Sequence, residues 1–138
     1  MFKEFWDKTI TIFSPLTNND GIDWYKYIIK NAFVKRINNK IDNGMDYSNS
    51  NRTIIRIDND NYVPFHKWIS LSDVDKQYKP TIYSESIIVL EEITDDSILE
   101  KLKDNSGSFL FDEYECTKPL SVTDNTYQYL PHILITGD

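Results

Sequence analysis

Short runs of β-branched and aromatic residues that alternate with polar ones recur along this chain, and they constrain its fold more than any other feature. Thr9–Phe13 (TITIF) places Ile10 and Ile12 on one face of an extended segment, the period-2 signature of a half-buried strand. In Trp24–Arg36 (WYKYIIKNAFVKR), Tyr25, Tyr27 and Ile29 alternate with Lys26, Ile28 and Lys30. That pattern predicts one or two strands, because aromatic and β-branched side chains favour a pleated surface over a helix. Thr53–Asp58 (TIIRID), Ser108–Tyr114 (SFLFDEY) and Ile133–Thr136 (ILIT) read as further strands, and Ile87–Leu90 (IIVL) as a short buried one. Val122–Pro131 reads as a strand end followed by a turn.

The intervening segments read differently. Leu16–Asp23 (LTNNDGID) is a turn, because Asn-Asn-Asp-Gly supplies residues that tolerate positive φ. Asn38–Asn51 is polar, Asn-rich and without periodicity, which predicts a long exposed loop. Asn59–Ser72 carries Tyr62, Pro64, Phe65 and Trp68 and reads as an irregular aromatic segment lying on the sheet, while Asp73–Pro80 reads as a polar loop. Only Asp95–Asn105 (DDSILEKLKDN) has the marks of a helix: Asp95 or Asp96 as N-cap, a stripe of Ile98, Leu99 and Leu102, Lys101 and Lys103 in the last turn, and Gly107 just beyond. The expected fold is all-β, a small barrel or sandwich with long loops and one short inserted α-helix, spanning residues 1–138 as a single domain.

Composition narrows the function. Cys116 is the only cysteine, so an intrachain disulfide and a thiolate zinc cluster are excluded and a reducing, cytoplasmic site of synthesis is expected. The opening MFKEFWDKTITIF has no basic lead and no apolar run, so it does not read as a signal peptide, and Ile87–Leu90 is far too short to cross a bilayer. A formal charge of -7 argues against tight binding of nucleic acid, which is gripped by neutralising phosphates, but leaves room for a protein that surrounds DNA sliding past it.

No residue set carries recognisable chemistry. His66 and His132 lie in different segments among apolar neighbours, so both read as structural and not as metal ligands. Asp58-Asn59-Asp60-Asn61-Tyr62 begins like an EF-hand loop, but Val63 stands where glycine is required and Ile69 where the closing glutamate is required. Glu113 and Glu115 surround Cys116 with negative charge, which raises a thiol's pKa and lowers its reactivity. Glu91-Glu92 and Asp95-Asp96 read as solvated surface or a helix start. The expectation is no catalytic, metal-ligating or cofactor-binding residue and no cofactor. Trp6, Trp24 and Trp68 with nine Tyr exceed what a core of this size requires; they read as core and sheet-face packing, or as protein contact surface.

Three stretches together resemble a known family. FWDKTITIF (Phe5–Phe13) with IDWYKYIIKNAFVKR (Ile22–Arg36) is similar to the start of head-to-tail connector and minor capsid proteins of clostridial tailed bacteriophages. Arg56–Pro64 with Trp68 is similar to their middle. Leu120–Asn125 with Leu130–Gly137 is similar to their ending, a last strand led by His132. The relatives carry a Pro-Gly-Asp turn before the buried strand, where this chain has Ser84-Glu85-Ser86. The resemblance implies a small β-barrel that assembles as a homomeric ring, six- or twelve-fold, in the virion neck. Its partners would be copies of itself, portal and adaptor proteins above, and tail terminator or tube proteins below. DNA would pass through without specific binding, and no membrane would be involved.

A tail terminator or collar protein of a phage tail or phage-tail-like bacteriocin is the alternative within the same class. A small enzyme or ligand-binding β-barrel is the alternative from another class, and it requires a convergent polar pocket. For the ring, the expected subunit-contact loop is the polar Asn38–Asn51 segment, with Asn38, Asn39, Asn43, Met45, Tyr47, Asn49 and Asn51 as the contact residues.

Overall fold

The computed structural model describes residues 6–19, 21–42, 47–58, 62–104, 107–124 and 133–137, with main chain alone for 37–42, 47–51, 103–104 and 124. It is mainly β, built on antiparallel pairings. Strand β1 (Lys8–Asn18) and strand β2 (Gly21–Asp42) form the first hairpin, in register from Asn18↔Gly21 back to Lys8↔Ala32. The strands therefore reach further into the expected Leu16–Asp23 turn than the sequence indicated. Gly21 has φ of 131°, a conformation closed to residues with a Cβ.

The Trp24–Arg36 segment lies within one strand. Between the pairs Lys8↔Ala32 and Ile10↔Ile29, β2 holds one residue more than β1, and Asn31 sits there with φ of 58°. This is a β-bulge, and Asn is among the few residues that accept the left-handed region. The extra residue resets the alternation. Tyr25, Tyr27 and Ile29 face the core before the bulge, and Ala32 and Val34 face the same core after it. Without the reset, Lys35 would take an inward position.

Beyond the bulge β2 leaves β1 and pairs with β3 (Tyr47–Ile57), from Phe33↔Arg56 to Asp42↔Tyr47. Strand β7 (Ile133–Gly137) pairs with β3, and β6 (Pro119–Asp124) with β7. On the other flank β4 (Ile87–Val89) pairs with β1, and β5 (Cys116–Thr117) with β4. The order is β5-β4-β1-β2-β3-β7-β6 in a seven-stranded sheet. No ladder among the described residues closes it into a barrel. Its two ends are nevertheless consecutive in the chain, since only Lys118 separates β5 from β6, so the sheet coils round until its ends meet. Gly137 marks that junction: a Cβ there would lie 2.2 Å from Thr117 Oγ1 and 3.0 Å from the Lys118 carbonyl.

The coiled sheet makes two apolar layers. Ile10, Ile12, Tyr27, Ala32, Ile55, Ile57, Ile88, Ile133 and Ile135 fill its inside. The alternate residues Phe13, Ile87 and Val89 point outward and are covered by α3 (Ser97–Asp104) and α4 (Ser108–Glu113) through Ile98, Leu102 and Leu110. Thr11, on the same outward face, donates from Oγ1 to the Glu91 carbonyl (2.8 Å) and accepts from Ile93 N (2.9 Å), tying the loop after β4 to the sheet.

Helix α3 stands where the capped apolar stripe predicted it, with Asp95 Oδ1 accepting from Ser97 N at 2.9 Å. Three further helices depart from the reading of one. Ser108–Tyr114, expected as a strand, is α4: Leu110 is buried in the outer layer and Tyr114 N returns to the Leu110 carbonyl. A three-letter apolar run cannot distinguish a buried helical turn from a strand. Asp73–Pro80, expected as a loop, contains α2 (Asp73–Tyr78), whose N-cap Ser72 accepts from Asp75 N at 3.2 Å, with Asp73 and Asp75 in the first turn. The aromatic segment before it contains α1 (Phe65–Trp68), with Trp68 fully buried. The Ser84-Glu85-Ser86 turn before β4 is present, with Ser86 N bonded to the Tyr83 carbonyl and the buried Ser86 hydroxyl 2.9 Å from Ser14 Oγ.

Candidate assembly surface

The expected Asn38–Asn51 loop is corrected by the structure. Asn38 and Asn39 belong to β2 and pair with Asn51 and Ser50 of β3; Asn49 pairs with Lys40, and Tyr47 with Asp42. Asn43 and Met45 lie outside the described residues. Polar composition misled the sequence reading, because a segment with few apolar residues shows no alternation even where its main chain pairs as a strand.

This hairpin extends past the rest of the sheet. Strand β7 accompanies β3 only as far as Thr53↔Gly137, and β1 accompanies β2 only as far as Lys8↔Ala32. The pairs from Ile37↔Arg52 to Asp42↔Tyr47 thus form a ribbon with no third strand among the described residues. At about 3.3 Å per residue it projects roughly 20 Å. Arg36 anchors its base through an ion pair from Nη1 to Glu115 Oε1 at 2.8 Å.

Strand β2 has a second unpaired edge. From Gly21 to Ala32 it pairs with β1 on one side, and no described strand pairs with the other. Tyr27 holds α2 beside this edge: its hydroxyl donates to the Lys76 carbonyl and accepts from Trp68 Nε1 at 3.1 Å. Between the edge and the end of α2 lies a slot of about 300 Å³, lined by Lys26, Tyr27, Ile28 and Ile29 on one wall and Gln77, Tyr78 and Pro80 on the other. Its rim carries exposed apolar side chains, Val74 and Tyr78, one turn apart on α2.

A larger groove of about 740 Å³ runs on the outer side between the β1–β2 hairpin and the outer helices, among Ile22, Trp24, Tyr83, Leu102 and Phe111. Trp24 is half-buried there, while Trp6 and Trp68 are core residues. The inside of the sheet, by contrast, is filled by its own side chains.

The remaining candidates stay apart. His66 is exposed on α1, and His132 lies outside the described residues. Cys116 is buried and donates from Sγ to the Leu110 carbonyl at 3.2 Å. Burial pushes its thiol up to about 12; Glu91 and Glu115 add to the rise and Arg36 opposes it. Such a thiol is a weak nucleophile. Glu91 and Glu92 are exposed, Asp96 pairs with Lys26, and the bond from Ser97 holds Asp95 below the usual carboxylate range. Among the described residues, no three His, Cys, Asp or Glu side chains gather closely enough to hold a metal ion. No protein-family model, no characterised protein and no solved structure matches the chain.

Proposed function

We propose that this chain is a structural subunit of a tailed-phage neck, a protein that forms a homomeric ring joining the DNA-filled head to the tail. The observation that carries the reading is the β2–β3 arm. A ribbon projecting roughly 20 Å with both edges unpaired among the described residues leaves its main-chain donors and acceptors for water or for another protein. Its sequence, rich in Asn and Ser, offers little apolar area for its own stability. A role in holding a neighbour explains its length. The net charge of -7 supports the same reading, since repeated acidic copies make a lumen that does not retain DNA. Asn38, Asn39, Asn49 and Asn51 then act as arm residues in strand pairing.

The test is to replace residues 38–51 by Asn-Gly, which joins the paired Ile37 and Arg52 through a two-residue turn. The purified variant is expected to keep its melting temperature and to lose only the arm's share of the strand signal in circular dichroism, and the phage carrying it is expected to make heads that lose DNA or fail to join tails. Normal infectious particles from that variant would refute the reading.

A further inference from the structure

Independently of the ring reading, we infer that the slot beside β2 is a docking site for an extended, acidic segment of a partner protein, which adds to the sheet as a strand along Lys26–Ile29. The main chain there is open to it. Leu90 N donates to the Glu115 carbonyl at 2.9 Å, so on β4 the main-chain groups of Ile88 and Leu90 face β5, and those of Ile87 and Val89 face β1. Thr11 and Phe13, opposite Val89 and Ile87, therefore bond β4, while Ile10, Ile12 and Ser14 bond Ile29, Tyr27 and Tyr25 of β2. The N–H and C=O groups of Lys26 and Ile28 point the other way, into the slot, where no described residue bonds them. Strand β3 takes the neighbouring place in the sheet only from Phe33 onward, so an incoming strand fills the place that β3 leaves empty. The far wall, Gln77, Tyr78 and Pro80, is held by the bond from the Tyr27 hydroxyl to the Lys76 carbonyl. Such an edge bonds an extended partner of any sequence, and the side chains that flank it select which one.

Lysine selects the occupant. Lys26, Ile28 and Lys30 alternate with the core-facing Tyr27 and Ile29 and share the outward face of the edge. Lys79 stands between Tyr78 and Pro80 of the far wall, and the lining of the slot holds no acid. Lys26 is paired to Asp96 at 2.5 Å, with Asp95 beside it. Lys30 is exposed and Lys79 half-buried, and neither joins an ion pair among the described residues. The other acids lie at the margins. Asp73 and Asp23 stand toward the Tyr25 end, where burial first and then these two carboxylates raise the Tyr25 phenol. Asp58 follows β3 where that strand leaves β2, and it has an interaction of its own. The unpaired charge at the slot is thus positive, in a chain of net charge -7. An added strand sets alternate side chains opposite Lys26, Ile28 and Lys30, and opposite charges directly across a strand pair attract. The fitting segment therefore carries an acid two residues to either side of an apolar residue.

The probe is the blocked peptide acetyl-Thr-Glu-Thr-Val-Thr-Glu-Thr-amide, which reads the same in both directions and so suits parallel or antiparallel addition. Its counterpart has Lys in place of each Glu. Each is titrated into the isotope-labelled full chain at low salt, followed by amide chemical shifts and hydrogen exchange. The glutamate peptide should bind with a Kd of about 1 mM or below. It should slow exchange at Lys26 and Ile28 and leave Tyr27 and Ile29, already bonded to β1, unchanged. The lysine peptide should bind at least about tenfold more weakly. The double change Lys30→Glu, Lys79→Glu should reverse that order, with circular dichroism checking its fold; if it does not fold, the two peptides on the wild-type chain decide. Equal binding of both peptides, binding without slowed exchange at Lys26 and Ile28, or no binding at about 5 mM peptide would overturn the assignment. So would slowed exchange at these two amides in the concentrated chain alone, which would give the edge to a second copy. The ring reading stands or falls separately, on removal of the arm.

Discussion

The bulge in β2 makes a sharp quantitative prediction, because Asn31 is exposed and its substitution isolates the backbone. With φ of 58°, Asn31 occupies a region that a side chain with a branched Cβ resists. Asn31→Val should cost roughly 1–2 kcal/mol, the left-handed penalty, whereas Asn31→Gly should be near neutral. Urea slopes of about 1–3 kcal/mol/M for small proteins turn that penalty into a midpoint shift of about 0.5–1 M at a slope near 2. Deleting Asn31 is the complementary perturbation. It removes only the extra residue, so that Lys30 stands opposite Thr9 while Ala32 stays opposite Lys8 and Val34 stays on the core face. The deletion should therefore fold, with Lys35 still outward. Paired urea titrations followed by tryptophan fluorescence and circular dichroism are the assay. If Asn31→Val matched Asn31→Gly, or the deletion failed to fold, Asn31 would not be an extra, left-handed residue within one continuous strand.

Two other outcomes follow from buried polar groups. Tyr27→Phe leaves Trp68 Nε1 without its acceptor and the Lys76 carbonyl without its donor in a buried setting, so urea unfolding should show a loss of roughly 2–4 kcal/mol. The raised Cys116 thiol and the Tyr83 phenol, each pushed up to about 12 mainly by burial, together with the raised Tyr27 phenol, predict alkaline lability. These groups ionise first in the unfolded chain, near 9.0 for the thiol and 10.0 for the phenols. Their contribution is full below about pH 9 and is lost as pH rises toward 12. Melting temperature should therefore fall across that window, and native Cys116 should react with a disulfide reagent at pH 8 only at the rate of unfolding. Fast stoichiometric labelling of the native protein would contradict the buried thiol.

Where one face of a segment is buried, the fold was legible. Ile10 with Ile12, Ile55 with Ile57 and Ile133 with Ile135 alternate because one face meets the core, and the capped stripe of α3 is legible for the same reason at period 3.6. Legibility failed where burial does not dictate the pattern. The arm is polar in sequence and was mistaken for a loop. Helices α2 and α4 are too short to show a period, and each is fixed by a local device, the Ser72 cap for one and the buried Leu110 for the other. The slot had no sequence signal, since an unpaired edge is a property of register: it arises because β3 begins to accompany β2 only at Phe33. The sequence left Trp24–Arg36 as one or two strands, and that it is one strand with a bulge at Asn31 required the pairing of Lys8 with Ala32.

The stagger of β2 also connects subunit stability to assembly. A two-stranded ribbon in water is marginally stable by itself, and a third strand is what secures it. The arm lacks that strand among the described residues, so on the proposed ring reading a neighbouring copy would supply it. A contact between unlike patches of two copies is heterologous, and its repetition would produce a ring where the rotation closes and a filament where it does not. Like-charge repulsion between copies of net charge -7 opposes either outcome, but it is screened within about 8 Å at physiological salt. Each contact would then be weak in isolation, and a template that held neighbours at the closing angle would raise the local concentration of each arm at the next copy. Added salt should accordingly strengthen self-association of the full chain in sedimentation equilibrium, and association that weakened as salt was added would contradict this account.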